Sequence, residues 1–465
     1  MSKTLAQMSI SELSPMLRDQ EVSPVEITES IFNRIKAFDK EINSYVEVNE
    51  EKAIESAKRA EREISNGEYK GALHGIPMAL KDILHFKGET SALGSKIHKD
   101  FIAEDDAAVV SKLKEAGVVF TGKLNMHEYA WGGTTNNPHF GPTRNPWNLS
   151  KIPGGSSGGS GAAVAADLTI ASLGTDTGGS IRMPAAACGI VGLKPTHGRV
   201  SKSGCFPLSW SLDHIGPMTK TVEDAAILLE YIAGYDKNDP TTVSIPVDRY
   251  SSYLTGDIKG KVIGIEEDYF FHNVGESIEL LVRKAIDQME AMGAKVEIVK
   301  IPTLKYAQFA EMMTCYAEGG TIHSRNIRER PEDFGEDTRI DIKLAQAISS
   351  TDYLQAQQVR NMMKREFAEI FEQVDVLVAP MLPIMPPDIG DTSANTLGLY
   401  SCPANLTGLP AISLPCGMSE GLPVGMQIIG PAFEERKVLN FAYAFEKTNP
   451  LNGMKPFQFE LNRSL

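Results

Sequence analysis

Ten of the chain's 40 glycines fall in the 39 residues from Gly154 to Gly192, where an even spread over 465 residues would put about three. Two serine-bearing clusters carry most of them. The first reads Pro153-Gly154-Gly155-Ser156-Ser157-Gly158-Gly159-Ser160-Gly161, and the second, beyond an Ala-rich helical stretch, reads Gly174-Thr175-Asp176-Thr177-Gly178-Gly179-Ser180-Ile181-Arg182. Such a segment requires backbone geometry that side chains would obstruct, so the fold must hold two unusual turns close in sequence.

The flanking sequence says what kind of fold that is. Ser9-Ile10-Ser11-Glu12 and Ser23-Pro24-Val25-Glu26 are capping boxes, each opening a run of helical apolar spacing, and a charged third helix runs from about Glu50 to Asn66-Gly67. These helices are expected to cover the body over about residues 1–70. From Gly75 onward, short apolar runs (Ile76 to Leu84, Val118 to Thr121, Thr169 to Leu173, Val262 to Ile265, Val374 to Ala379) alternate with helical segments such as Ala107 to Ala116 and Ser277 to Met292. That alternation predicts a layered α/β fold. The Asp-, Pro- and Ser-rich stretch from Tyr235 to Asp257 could be a linker or a surface excursion.

Apolar residues make up 42% and charged residues 23%, enough to bury a large core without disulfide or metal support. The net charge of −14 repels phosphate backbones and anionic membranes, which argues against direct nucleic-acid or membrane binding. Cys188, Cys205, Cys315, Cys402 and Cys416 are odd in number and widely spaced, as in a reducing compartment. The N-terminus, Met1 to Gln7, leads into an amphipathic pattern without a signal-like apolar run, and the most apolar stretch, Ala162 to Leu173, is short and carries Asp167. A cytoplasmic location is the expectation.

Three chemistries fit the glycine clusters. A phosphate cradle needs a lysine after its glycines, and no basic residue follows the first cluster until Arg182. A nucleophile elbow matches G-x-S-x-G at Ser156 or Ser157, yet the preceding Asn145 to Lys151 reads as loop rather than strand. The third reading joins both serine clusters to a lysine. Serine needs a proton acceptor, and a lysine serves only if burial keeps its amine neutral. Lys81, within the apolar run Ile76 to Leu84, is positioned for that.

These residues together resemble the amidase signature family, through Gly75-Ile76-Pro77-x-x-x-Lys81-Asp82 and the two glycine clusters. The likeness continues through Lys123 to Glu128, Gly189 to Thr196, Ser211 to Pro217 and Gly421 to Gln427, and is weakest between about residues 235 and 380. It implies one α/β domain across 1–465: a large mixed sheet flanked by helices, a signature core over about 71–220, and a substrate-pocket region over about 235–380. It also implies amide hydrolysis or transfer with Ser180 as nucleophile, Ser156 as bridging serine entered through a cis peptide from Gly155, and Lys81 as base. Ser156 precedes Ser180 by 24 positions, the separation seen in the family. Bringing a lysine from about 10.4 to about 7 costs some 4 to 5 kcal/mol, so the amine must be buried.

By the same resemblance, backbone N–H groups of Thr177, Gly178, Gly179 and Ser180 form the oxyanion hole, and Ser157, Asp176 and Arg182 hold the two loops. Met126, Tyr129 and Trp131 line the acyl pocket, while His127 and His139 are structural. No metal or organic cofactor has a role. The substrate is expected to be a small carboxylic amide, and the chain could pair as a homodimer.

The alternative is the glutaminase subunit of a tRNA-dependent amidotransferase, which would work with partner subunits. That subunit holds the glutamine α-amino and α-carboxylate groups with an acidic residue and an arginine. Here the corresponding stretches read Leu397-Gly398-Leu399-Tyr400, with no carboxylate, and Thr338-Arg339-Ile340-Asp341-Ile342, with Ile-Asp where arginines are expected. A buried, poorly paired zwitterion costs several kcal/mol, so the sequence favours a free-standing hydrolase.

Overall fold

The computed structural model describes residues 3–449 and 454–456. Met1 and Ser2, the first residues of the N-terminal segment Met1 to Gln7, lie outside them. Eleven strands form one mixed sheet: β1 (Tyr45–Val48), β2 (Pro77–Lys81), β3 (Val119–Leu124), β4 (Ala171–Asp176), β5 (Val191–Lys194), β6 (His214–Thr219), β7 (Val262–Ile265), β8 (Lys295–Ile298), β9 (Val376–Pro380), β10 (Ala411–Ser419) and β11 (Leu422–Ile429). Their spatial order is β1-β3-β2-β4-β6-β5-β10-β11-β9-β7-β8. β4 runs parallel to β2, with Leu80 opposite Leu173, and antiparallel to β6, with Asp176 opposite His214. The apolar runs read from sequence coincide with β2, β3, β4, β7 and β9, displaced by at most a few residues.

Helices flank the sheet, as expected for this fold class. Both predicted capping boxes form, at Ser9 and Ser23, and the third helix spans Glu50–Ser65. The segment 236–249 carries no helix or strand. No helix among the described residues is long and apolar enough to cross a membrane.

Two short helices set up the site. The helix after the first glycine cluster starts within the cluster, at Gly158, earlier than the Ala-rich stretch suggests, and runs to Ala165. Close packing explains the glycines: a methyl group at Gly159 would sit 2.3 Å from the Asn125 carbonyl oxygen. The second helix, Arg182–Cys188, follows the second cluster and is buried along its whole length. Lys81 ends β2 and Asp176 ends β4, so the C-terminal ends of two parallel neighbours bring the lysine beside the second glycine turn.

Candidate active site

Lys81 is fully buried, and its Nζ donates to Ser156 Oγ and to Thr175 Oγ1, both at 2.7 Å. Burial pulls the amine down to about 7, against weaker opposing effects of Cys205, Asp176 and Asp213. The peptide Gly155–Ser156 is cis. Ser156 is held by its carbonyl, which accepts the His127 N–H at 3.1 Å. Ser157 joins the two clusters: its hydroxyl donates to the Thr175 carbonyl at 3.1 Å, and its N–H donates to the Ser180 carbonyl at 3.3 Å.

Ser180 lies at the end of a turn organised by Asp176. One carboxylate oxygen accepts the Gly179 N–H at 2.8 Å, and the other accepts the Ile181 N–H at 3.2 Å. Arg182 donates to both oxygens of Asp176, and also to Gln427 Oε1, the Ser401 carbonyl and Asn405 Oδ1. Burial alone would raise the Asp176 carboxyl, but the Arg182 guanidinium outweighs it and holds the group at about 2. Gly179 adopts φ +126°, and a Cβ there would lie 2.3 Å from Ser401 Oγ, so only glycine fits. Thr177 is fixed by its hydroxyl, which donates to Asp213 Oδ1 at 2.6 Å.

One expected feature of the turn differs. The Gly179 N–H is taken by Asp176, because the carboxylate that braces the turn needs it as a donor. The Thr177, Gly178 and Ser180 N–H groups make no hydrogen bond among the described residues.

The three residues expected at the pocket are buried, and the rings of Tyr129 and Trp131 both approach His323. Met126 packs against Gly94. Tyr129 sits in an aromatic cluster, 4.3 Å between ring centroids from His323, with its hydroxyl 2.8 Å from His98 Nδ1. Trp131 packs against Tyr316 and has a buried Nε1 without a hydrogen-bond partner among the described residues. His127 and His139 make polar contacts: His127 Nε2 lies 3.1 Å from Asp337 Oδ2, and His139 Nε2 lies 2.9 Å from Glu128 Oε1. Among the described residues, no group of His, Cys, Asp or Glu could hold a metal ion.

Sequence reading missed Thr175, Asp213, Ser401, Asn405 and Gln427 as parts of this arrangement. Each lies in or beside a quoted motif, but its partner lies on a distant segment, as with Arg182 and Gln427. Strand alternation gave no signal for Thr175, which shares a face of β4 with Leu173 and so with Leu80 rather than Lys81.

The fold and this cluster define an enzyme that acts on carboxylic C–N bonds, and the comparisons give the family. The Amidase family profile matches residues 26–439, and the chain belongs to that family. It is 41% identical over 480 residues to the A subunit of the glutamyl-tRNA(Gln) amidotransferase of Moorella thermoacetica, covering 97% of this chain and 99% of the relative. A solved structure described as an unexpected vestigial protein complex that reveals the evolutionary origins of an s-triazine catabolic enzyme superposes with a TM-score of 0.91 at 34% identity, covering 95% of this chain and 98% of that one. A bacterial aryl acylamidase of the amidase signature family superposes with a TM-score of 0.90 at 30% identity, covering 99% of each chain.

Proposed function

We propose that this chain hydrolyses a small carboxylic amide through an acyl-enzyme on Ser180, with Ser156 and Lys81 as its proton relay. The observation that carries the reading is the buried Lys81 amine, 2.7 Å from Ser156 Oγ and brought to about 7 by burial. In its neutral form Nζ keeps Thr175 Oγ1 as acceptor for one N–H and offers its lone pair to the Ser156 hydroxyl. Ser156 passes its proton to Lys81 and takes the Ser180 proton as Ser180 Oγ bonds to the carbonyl carbon. Negative charge on the carbonyl oxygen is met by the Thr177, Gly178 and Ser180 N–H groups. The C–N bond then breaks, the proton returns through Ser156 to the leaving nitrogen, and water releases the acid by the same relay. Its surroundings are taken to be cytoplasmic; the Lys81 and Ser156 roles rest on motif and on their hydrogen bond, and that of Ser180 rests on its motif.

A second reading, the glutaminase subunit working with partner subunits, is favoured by the comparisons, in which full-length relatives near 41% identity are named as the A subunit of that amidotransferase. The site weighs the other way. Gly398 lies beside the oxyanion turn, its Cβ position 3.8 Å from the Gly178 carbonyl oxygen, and offers no carboxylate. Asp341 occupies a position where an arginine was expected.

Purified protein assayed against glutamine, indole-3-acetamide, aliphatic amides and anilides separates the two. The hydrolase reading expects turnover of a simple amide by the isolated chain, lost in Ser180→Ala. Glutamine turnover appearing only after a copurified partner is added would overturn it in favour of the second reading.

A further inference from the structure

The carboxyl of Glu311, on the helix Ala307–Ile322, lies against the oxyanion turn: a methyl group built on Gly178 would be 2.8 Å from Glu311 Oε1. No hydrogen bond or ion pair engages it among the described residues. Several buried carboxylates among the described residues have partners. Asp167 pairs with Lys220, Glu318 accepts from Ser209 and Ser211, Glu435 accepts the Thr196 N–H, and Asp224 accepts the Ile10 and Ser11 N–H groups. Glu311 is half-buried, so a ligand seated against the turn would cover its carboxyl and has to supply the donor that no protein group supplies.

The groups that interact electrostatically with Glu311 are Tyr269, Cys315, Tyr316 and Cys402, from three different elements. Burial raises all four, so they stay neutral around pH 7. Burial likewise raises Glu311 itself to about 7. Arg182, the cation beside Cys402, is spent on Asp176, Gln427, Asn405 and the Ser401 carbonyl. Asp341 adds a second carboxyl on the Tyr316 side. Among the described residues named here, this wall therefore offers carboxyl acceptors, and its one cation, Arg182, is engaged.

Resting on the hydrolase reading above, we infer that Glu311 is a specificity-determining residue, selecting amides that carry an N–H donor, ammonium or ureido, within a bond or two of the scissile carbonyl. A ligand carboxylate at that place would meet the Glu311 carboxyl. A donor missing from the ligand would leave the Glu311 carboxyl unsatisfied, the condition under which polar sites discriminate most strongly.

The test is calorimetric binding to the Ser180→Ala protein, so that affinity is read without turnover. The probes are glycinamide for the ammonium, carbamoylglycinamide for the ureido group, propionamide with no extra donor, and succinamate with a carboxylate. At pH 8 the expected result is that one or both donor-bearing probes bind at least tenfold more tightly than propionamide, with succinamate weakest. Preference for glycinamide alone assigns the ammonium, and preference for both assigns the shared N–H donor. Adding Glu311→Gln should cut the glycinamide-to-propionamide affinity ratio at least tenfold and improve succinamate, while Glu311→Asp should restore part of the ratio. The wild-type advantage of glycinamide should also fall as pH drops through about 7, and that dependence should vanish in Glu311→Gln. Ratios within twofold of each other in the Ser180→Ala and double-variant proteins would overturn the inference. Wild-type turnover of propionamide, measured in parallel, tells the failures apart: turnover with unmoved ratios removes only the Glu311 role, whereas no turnover of any amide removes the hydrolase reading beneath it.

Discussion

On the sheet side of the candidate site, Asp176 spends both carboxylate oxygens on the Gly179 and Ile181 N–H groups and on the Arg182 guanidinium, and Arg182 also donates to three groups on two further segments. Across the oxyanion turn, Glu311 is half-buried and has no partner among the described residues. The first carboxylate is held at about 2 and the second lifted to about 7, though both face the same turn. The difference separates two jobs. A saturated network fixes the geometry of the reacting groups, and an unsaturated wall is left for the ligand to complete.

Breaking the reacting side should give the largest effect. Ser180→Ala is expected to lower turnover by on the order of 10⁴-fold or more, and Lys81→Ala by about 10³-fold or more, read as kcat in a steady-state amide assay. Near-normal rates in either variant would remove the relay.

Next in size is the stability contrast. Arg182→Met strips Asp176 of its cation and should destabilise the fold by about 3 to 5 kcal/mol in urea titration, because a buried charge is left uncompensated. Glu311→Gln should leave the urea midpoint unchanged or raised. If it costs as much as Arg182→Met, the two walls do not differ in kind. The pH dependences sharpen this. The Asp176 carboxyl, depressed in the folded state, contributes stability above its ordinary value of 3.8 that is lost as pH falls through about 2. Glu311 is raised, so the folded state holds its proton longer and its contribution declines as pH rises from about 4.5 to about 7. Wild type minus Glu311→Gln, compared by thermal melting across that window, should isolate the decline.

A smaller effect is expected at Thr175, whose hydroxyl accepts from Lys81. Thr175→Val should slow turnover about three- to tenfold, since one hydrogen bond is worth roughly 1 kcal/mol. It should also move the acidic limb of the kcat/KM profile to lower pH, because removing an acceptor disfavours the ammonium form.

The same contrast explains what the sequence disclosed. The capping boxes at Ser9 and Ser23, the apolar runs that became β2, β4 and β7, and the triad candidates are encoded locally: a few adjacent residues carry the whole signal. The apolar run made Lys81 a candidate for burial, while the roles of Lys81, Ser156 and Ser180 were legible only through the family motifs that contain them. The bracing of the turn was only half legible. Asp176 and Arg182 lie six residues apart, but Ser401, Asn405 and Gln427 reach them from segments more than 200 residues away. The resemblance implied a Gly179 N–H aimed at an oxyanion, whereas Asp176, three residues earlier and already a candidate for holding the loops, accepts it. Glu311 gave no signal at all. A glutamate on an ordinary amphipathic helix reads as solvated surface, and only the tertiary placement of Ala307–Ile322 against Gly178 brings it to the site.

The account depends most on Lys81 being an amine rather than an ammonium at working pH. Titration of the Lys81 ζ-nitrogen by NMR in ¹⁵N-lysine-labelled Ser180→Ala protein, assigned with Lys81→Met, measures this directly. A midpoint near 7 is the predicted result. A midpoint near the ordinary lysine value, about 10.4, would contradict it and leave Ser156 without an acceptor for its proton.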